Sequence, residues 1–192
     1  MKPIISRQRK KMQELDTSFF ARDTLGVAQE LLGKILIVGS CSGRIIEVEA
    51  YKDDEASHAF MRTQRSAIMY DTYGHVYVYF IYGMYCCLNF TTELSGKPGA
   101  VLIRSIAPIK GISEMKLRRK TAKVNNLCSG PGKLCMALRI DLSFNNSVIG
   151  SQVRLVDDGY VPSSVVRSGR IGISKAQELD WRFTSEHYHY LK

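Results

Sequence analysis

Acidic, basic and aromatic residues of the types that hydrolytic enzymes use occur between residues 47 and 104 of this chain. In the segment GRIIEVEAY, strand alternation places Glu47, Glu49 and Tyr51 on one face. His58 follows in the acidic segment KDDEASH, and Arg104 ends the apolar run VLIR. A carboxylate can deprotonate a water, and an arginine can hold that water or the carboxylate in place. Two carboxylates on one strand face are also typical of a solvated outer surface, so the pattern leaves both interpretations open.

The most aromatic part of the chain is the stretch HVYVYFIYGMYCCLN, residues 75–89, which holds four of the ten tyrosines. Its β-branched and aromatic residues predict a strand, and the Tyr82-Gly83 break before a second apolar segment predicts a hairpin. Alternation places Tyr77 and Tyr79 on one face, with Tyr82 at or near the hairpin tip. Tyrosines in such a row either pack a core or offer stacking faces to a planar ligand.

Further patterned segments must form the scaffold that positions these residues. Apolar alternation and turn signals predict the other strands, and apolar residues at helical spacing predict the helices. The predicted strands are residues 34–38, 43–51, 75–82, 85–90, 99–105, 152–156 and 164–173. The predicted helices are residues 24–32, 112–123, 175–181 and a helix through 133–139 that Ser129 caps. Residues 52–74 are polar and are predicted to form a long irregular loop.

Strands joined by short turns, with the helices set apart from them, indicate an α+β fold. We expect a single compact domain over residues 17–192, with a curved, mostly antiparallel, barrel-like sheet flanked by helices and a protruding tyrosine hairpin. Residues 1–16 are predicted to be a basic, flexible N-terminus. At 192 residues, the chain is long enough for one domain with a sizeable core.

The charge balance favours a polyanionic partner. Lys and Arg number 27 against 18 Asp and Glu, which gives a net charge of +9. Residues 110–123, KGISEMKLRRKTAK, hold six basic residues and one acidic residue. Such a segment can neutralise nucleic-acid phosphates, although a solvated helix face has the same composition.

Several classes of protein are excluded. No apolar run is long enough for a transmembrane helix, and no apolar segment follows the basic start as it would in a secretory signal, so we expect a cytoplasmic protein without a membrane partner. Five cysteines without zinc spacing predict reduced thiols and no metal site. The SGPGK segment lacks the phosphate-loop spacing GxxxxGK[ST], which argues against nucleoside triphosphate binding.

Five motifs of this sequence together resemble the alkyladenine-type 3-methyladenine DNA glycosylases, the methylpurine DNA glycosylase family. The motifs, in the order in which that family has them, are EVEAY at 47–51, SHA at 57–59, YVYFIYGMYCCLN at 77–89, VLIR at 101–104 and CSGPGKLCMAL at 128–138. The resemblance runs from about Phe19 to Phe183. It implies an enzyme that extrudes an alkylated purine such as 3-methyladenine from double-stranded DNA and hydrolyses its N-glycosidic bond.

The resemblance also implies a role for particular residues around the extruded base. Glu49 matches the base that activates the water, and Arg104 matches the arginine that positions it. Four further matches imply the base pocket. Tyr51, His58 and Tyr79 match the walls between which the base stacks. Asn89 matches the residue that crowds the amino group of normal guanine. Backbone near residues 170–173 matches the part of the family that completes the water site.

On the DNA side, the resemblance implies that Tyr82 enters the minor groove and takes the place of the extruded base. Three further residues fall where the family touches DNA: Met84, Arg65 and Lys133. The implied enzyme needs no cofactor and acts as a monomer. Since the inferred pocket contains no lysine for a Schiff base, we expect a monofunctional enzyme that leaves an abasic site without cleaving the strand.

Two hypotheses from other classes remain. A non-catalytic nucleic-acid or damage-binding module can also use an aromatic strand with basic flanks, but it has no need for Glu49. A carbohydrate hydrolase could use Glu47 and Glu49 as an acid–base pair on one strand face. That second hypothesis accounts for neither the positive charge nor Tyr82.

Overall fold

The computed structural model of this protein describes residues 12–187. The predicted N-terminal segment lies mostly outside the described residues, but Gln13–Glu14 within it already pairs with a later strand. The strands are β1 (Gln13–Glu14), β2 (Ile35–Val38), β3 (Cys41–Tyr51), β4 (Val76–Ile81), β5 (Tyr85–Thr91), β6 (Ala100–Lys110), β7 (Val153–Asp157), β8 (Val165–Ser168) and β9 (Arg182–Ser185). The α-helices are α1 (Thr24–Leu31), α2 (Ala67–Asp71), α3 (Ile112–Arg119) and α4 (Pro131–Leu138).

All nine strands join one antiparallel sheet, which confirms the predicted α+β fold with a curved sheet. The order is β1-β7-β2-β3-β6-β5-β4, and β9 pairs with both β3 and β8. The long strand β3 is therefore central, with β6 along one edge and first β2, then β9, along the other. Irregular register between β3 and β6 bends both strands and curls the sheet.

One of these irregularities changes which side chains of β3 face the core. Simple alternation predicts that Ile46 shares a face with Val48 and Ala50. The structure instead places Ile45 with Val48 and Ala50 in the core, because the register with β6 shifts between Ile45 and Glu47. From Glu47 onward the predicted alternation holds.

Two helices cover the core face of the sheet. Helix α1 packs on β3 and β6, and α4 packs on β5 and β6. Asp23 caps α1 by accepting hydrogen bonds from Leu25 N and Gly26 N at 3.0 and 3.1 Å. The predicted serine cap of α4 is wrong: Gly130 occupies the cap position at φ 150°, and Ser129 Oγ instead bonds Asn126 Oδ1 at 3.2 Å. Only glycine adopts this backbone conformation readily, because a Cβ atom disfavours it in other residues, so Gly130 suits this position.

Other boundaries also differ from the prediction. The predicted strand over 99–105 continues to Lys110, the helix over 112–123 ends at Arg119, and the strand over 164–173 ends at Ser168. The prediction of a helix over 175–181 is wrong, since these residues form bends and turns with Ala176 at φ 50°. The segment is irregular and ends beside β3, where Trp181 O accepts a hydrogen bond from Ala50 N at 2.8 Å.

The segment 52–74, predicted to be irregular, contains the short helix α2 and a 3-10 turn over His58–Phe60. Buried Ser66 organises it: its hydroxyl lies 3.0 Å from Met61 O and 3.1 Å from Thr63 Oγ1. Among the described residues, no helix combines the length and apolarity needed to cross a membrane.

Candidate active site

The carboxylate of Glu49 lies at the centre of the site and is completely buried. Its Oε2 accepts hydrogen bonds from Arg104 Nη1 at 3.1 Å and from the Tyr51 hydroxyl at 2.9 Å. Its Oε1 accepts the Ile171 backbone N–H at 2.7 Å. A carboxylate offers about four lone-pair sites, and these three donors leave one acceptor site, on Oε1, for a further donor such as a water.

Arg104 bridges the two carboxylates of β3. Its Nε donates to Glu47 Oε1 at 3.1 Å while Nη1 contacts Glu49. Burial works against the charged guanidinium, but the charges of Glu49 and Glu47 outweigh it and raise the pKa of Arg104. The bridge decides between the two interpretations of this strand face: it is the wall of a buried site and not a solvated surface.

Glu47 is held in place by side chains from two other strands. Besides Arg104, it accepts Arg182 Nε at 2.7 Å and the Ser105 hydroxyl at 2.6 Å, and its side chain is almost entirely buried. Charged hydrogen bonds from two guanidinium groups meet on Glu47 Oε1. Glu47 is therefore suited to hold Arg104 in place.

Tyr51 is the last residue of β3 and turns its hydroxyl back to Glu49 two residues earlier. Burial, and then the negative charge of Glu49, raise the pKa of Tyr51 well above its ordinary value. The phenol therefore stays protonated and acts as a hydrogen-bond donor to the carboxylate.

The four predicted pocket residues line one small cavity beside Tyr51. Its volume is about 30 Å³, enough for a water or two but smaller than a purine. The lining residues are Tyr51, Ala56, Ser57, His58, Met69, Tyr77, Tyr79, Asn89 and Ala100. The structure therefore brings together residues from β3, the His58–Phe60 turn, β4 and β5.

His58 forms one side of this cavity. Its ring lies edge-on to Tyr79, with centroids 4.5 Å apart, and its Nδ1 lies 2.9 Å from the Tyr77 hydroxyl. Burial of the ring and the positive charge of Arg65 lower the pKa of His58 to about 4, so the imidazole is neutral at pH 7. Arg65 itself lies 5.1 Å from the centroid of Tyr79, close to the cavity but on the exposed surface.

Asn89 is buried in β5 and also lines the cavity. Its Nδ2 donates to Tyr77 O at 3.0 Å and more weakly to Cys87 O at 3.4 Å. Two backbone carbonyls fix the amide in one orientation, so its position in the cavity wall is determined by the β4–β5 pairing.

The predicted DNA-contact residues lie outside the cavity. Tyr82 and Met84 are in the turn between β4 and β5, with 82% and 64% of their surface exposed. Both Tyr82 and Gly83 have positive φ, of 51° and 66°, in a turn closed by a bond from Met84 N to Ile81 O. Lys133, at the start of α4, lines the same 340 Å³ concavity as Tyr82.

Sequence reasoning assigned no role to two residues of this site. Tyr77 contacts His58 through its hydroxyl, although alternation places it only on the same face as Tyr79. Arg182 holds Glu47, but it enters from β9, 135 residues away, and no local pattern marks it. In the described range, no group of three or more His, Cys, Asp or Glu is placed to hold a metal ion.

Comparison with known proteins gives one consistent result. Residues 18–189 match the model of the methylpurine-DNA glycosylase family. A protein of Rhizobium etli named "Putative 3-methyladenine DNA glycosylase" is 46% identical over 177 residues, which cover 91% of this chain and 86% of the relative. Proteins of the same name from Agrobacterium fabrum and Clostridium novyi are 44% and 40% identical, over 90% of this chain in each case and 89% and 94% of the relatives.

Proposed function

The chain belongs to the methylpurine-DNA glycosylase family, and we propose that it releases alkylated purines such as 3-methyladenine from duplex DNA by hydrolysing the N-glycosidic bond. The observation that carries this proposal is the buried carboxylate of Glu49, held by three donors with one acceptor site left. That arrangement suits a general base that must accept one proton from one water.

In the proposed reaction, Glu49 takes a proton from the water as its oxygen bonds to the sugar C1′. The bond from C1′ to the purine nitrogen breaks, and its electron pair leaves with the base. Alkylation at N3 or N7 makes the purine cationic, so it departs neutral and needs no acid. Arg104 keeps the carboxylate of Glu49 oriented throughout the reaction. Holding a reacting group in the right geometry lowers the barrier to reaction.

The damaged base must first leave the DNA duplex, and the aromatic cavity is the site that we propose for it. We propose that the base stacks between Tyr51 on one side and His58 with Tyr79 on the other. Because the cavity is smaller than a purine, His58 and Tyr79 move away from Tyr51 as the base enters. Stacking is worth roughly 1–3 kcal/mol per base, which is comparable to the few kcal/mol that extrusion costs.

The hairpin tip supports the second part of base extrusion. Exposed Tyr82, with Met84 beside it, is proposed to enter the minor groove and fill the space that the base leaves. Arg65 near the cavity and Lys133 beside the tip are proposed to contact phosphates. The net charge of +9 supports DNA binding that weakens as salt rises.

The described residues that line the cavity include no lysine. Lys52, the nearest in sequence to Tyr51, is bound instead to Asp23 and Glu93 at 2.8 and 3.0 Å. We therefore propose that water, and not an amine, attacks the sugar, so that the product is an abasic site in an uncut strand.

The structure weakens the carbohydrate-hydrolase hypothesis. That hypothesis needs a Glu47 side chain that is free to act on a substrate, whereas two guanidinium groups and Ser105 already hold it. The non-catalytic binding hypothesis leaves the buried Glu49–Arg104 arrangement without a purpose, because burying charges is costly.

The proposal is tested by measuring free base released from methylated duplex DNA, with strand breaks counted before and after hot alkali. We expect release by the wild type, loss of release in Glu49→Gln, and breaks only after alkali. Breaks before alkali would contradict the water mechanism. Binding of lesion-containing DNA without release by the wild type would favour the damage-binding hypothesis.

A further inference from the structure

A second buried ion pair lies directly behind the pocket. The Arg170 side chain is completely buried and that of Asp54 nearly so. Arg170 Nη2 contacts Asp54 Oδ1 at 2.6 Å, and Nη1 contacts Oδ2 at 3.0 Å and donates to Ala50 O at 3.1 Å. Burial raises the pKa of the Asp54 carboxyl, but the bonds and charge of Arg170 outweigh it and bring that pKa below its ordinary value. The pair is thus ionised and anchored to the residue that follows Glu49.

The guanidinium also packs against two aromatic rings. Its central carbon lies 4.7 Å from the ring centroid of Tyr51 and 5.2 Å from that of Trp181. Tyr51 lines the base cavity, and Arg170 is not among its described lining residues. The guanidinium therefore supports Tyr51 from outside the cavity, where it cannot touch the base.

Both ends of the pair continue into the site. Ile171, the next residue after Arg170, donates its N–H to Glu49 Oε1 at 2.7 Å. Asp54 organises the turn that leads to His58, because its carboxylate accepts Ala56 N at 3.0 Å and Lys52 N at 3.3 Å. The Arg170–Asp54 ion pair thus connects three parts of the site: the Ile171 N–H that bonds Glu49, the Tyr51 ring and the turn that leads to His58.

Stability alone does not account for this arrangement. A protein with a buried ion pair is often no more stable than the same protein with apolar residues of similar size in its place. Arg170 Nε is, in addition, buried without an acceptor among the described residues, which is an unfavourable position for a donor. A polar group kept at such a cost calls for another role.

We propose that Arg170 and Asp54 are positioning residues of the active site, which rests on the glycosylase function proposed above. Arg170 fixes the Tyr51 ring as a rigid wall and fixes the Ile171 N–H as a donor to Glu49. Asp54 holds Arg170 and the turn before His58. Neither side chain touches the base or the water.

The protein contains a matched control elsewhere in its fold. Arg44 contacts both oxygens of Asp158 at 3.0 and 2.8 Å, donates to Gly33 O at 2.6 Å and lies 4.4 Å from the ring centroid of Tyr160. This pair has the same chemistry, although it is more exposed. No residue of it lines the base cavity or contacts Glu49.

The experiment compares Arg170→Lys with Arg44→Lys, since lysine keeps the charge but loses the planar, two-pronged contact and the stacking. Three quantities are measured for each: the single-turnover rate of base release, the affinity for lesion-containing DNA and the melting temperature. We expect Arg170→Lys to lower the rate about 10–100-fold, as misplacement of a reacting group does, with affinity little changed. Arg44→Lys should leave the rate unchanged.

A second readout does not depend on hydrolysis. We expect the fluorescence of 1,N6-ethenoadenine placed in the duplex to be quenched further when the base stacks on the aromatic walls of the pocket. We expect weaker quenching with Arg170→Lys and with Asp54→Asn than with the wild type or Arg44→Lys. No base release by the wild type would refute the proposed function, while the quenching comparison would still decide the positioning role.

Two results would overturn the positioning role. One is a folded Arg170→Lys protein with wild-type rate and quenching. The other is a loss of rate in the Arg170 and Arg44 variants that simply follows their loss of melting temperature.

Discussion

The Glu49 centre and the hairpin tip are built in opposite ways. Glu49 has no exposed surface, and three donors from three parts of the chain fix its two oxygens. Tyr82 has 82% of its surface exposed. The groups proposed to do chemistry are thus already fixed within the protein, whereas the proposed wedge would acquire its packing from the DNA.

The backbone differs in the same sense. Around Glu49 the strand is paired on both edges, with Leu102 of β6 and Arg182 of β9. At the tip, Tyr82 adopts a left-handed conformation at φ 51° that costs a non-glycine residue about 1–2 kcal/mol. Strand pairing thus holds the backbone of Glu49 in an extended conformation, while the hairpin tip holds Tyr82 in a strained conformation in an exposed turn.

The largest expected effect concerns the unit formed by Glu49 and Arg104. Glu49→Gln should lower the single-turnover rate of base release by about 10²–10⁴, because it removes the proton acceptor. Arg104→Gln alone should cost about 10²–10³, because it removes a charged donor that orients that acceptor. The double variant should be about as slow as Glu49→Gln, since residues that act as one unit are not additive. The measurement is single-turnover release from 3-methyladenine duplexes.

Independent, additive losses in that double variant would mean that Arg104 does not act through Glu49. The melting temperature of each variant serves as the control, because Arg104 also bonds the buried Glu47 at 3.1 Å.

The wedge should show a smaller loss that depends on the substrate. Tyr82→Ala should slow release from a paired lesion about 10–100-fold, which corresponds to losing part of the few kcal/mol that extrusion costs. A lesion opposite an unpaired or bulged site should suffer much less, because less pairing must be broken. Phe80→Ala is the matched control: Phe80 is also an exposed aromatic of this hairpin but lies away from the tip. Equal losses on the two substrates would argue against a wedge.

The contrast between the two regions also explains what the sequence could reveal. Strand alternation grouped Glu47, Glu49 and Tyr51, and a Tyr-Gly pair between apolar runs located the turn, since both signals are local. The shift at Ile46 could not be predicted, because it depends on the register with β6. The predicted cap at Ser129 failed for a local reason, because its hydroxyl bonds Asn126 three residues earlier and Gly130 takes the cap position.

The parts of the site that the sequence did not reveal come from distant strands and loops. Ile171 N and Arg182 Nε reach the β3 carboxylates across 122 and 135 residues. Arg170 carries no local signal, because its partner Asp54 lies 116 residues earlier. Helix α2 has five residues, too few for a periodic pattern. Only the resemblance to a family singled out some of these positions.

Asn89 should have an effect on specificity and not on overall rate. Its amide is fixed by Tyr77 O and Cys87 O and lines the cavity. Asn89→Ser shortens the side chain and should raise release of normal guanine by about tenfold, equivalent to about 1.4 kcal/mol of lost discrimination. Release of 3-methyladenine should change little by comparison. An unchanged guanine rate would remove Asn89 from the determinants of specificity.

The smallest effect is on stability, and it should distinguish two variants that have the same activity. Tyr82→Ala removes the ring but keeps a Cβ residue at φ 51°, whereas Tyr82→Asn removes the ring and tolerates this conformation. We expect the Asn variant to have a free energy of unfolding about 0.5–1 kcal/mol above that of the Ala variant, measured by urea denaturation, since little packing is lost with either. Both should be equally slow on paired lesions. If the Asn variant were no more stable than the Ala variant, the turn would not be strained, and the tip would differ from the Glu49 centre only in its exposure.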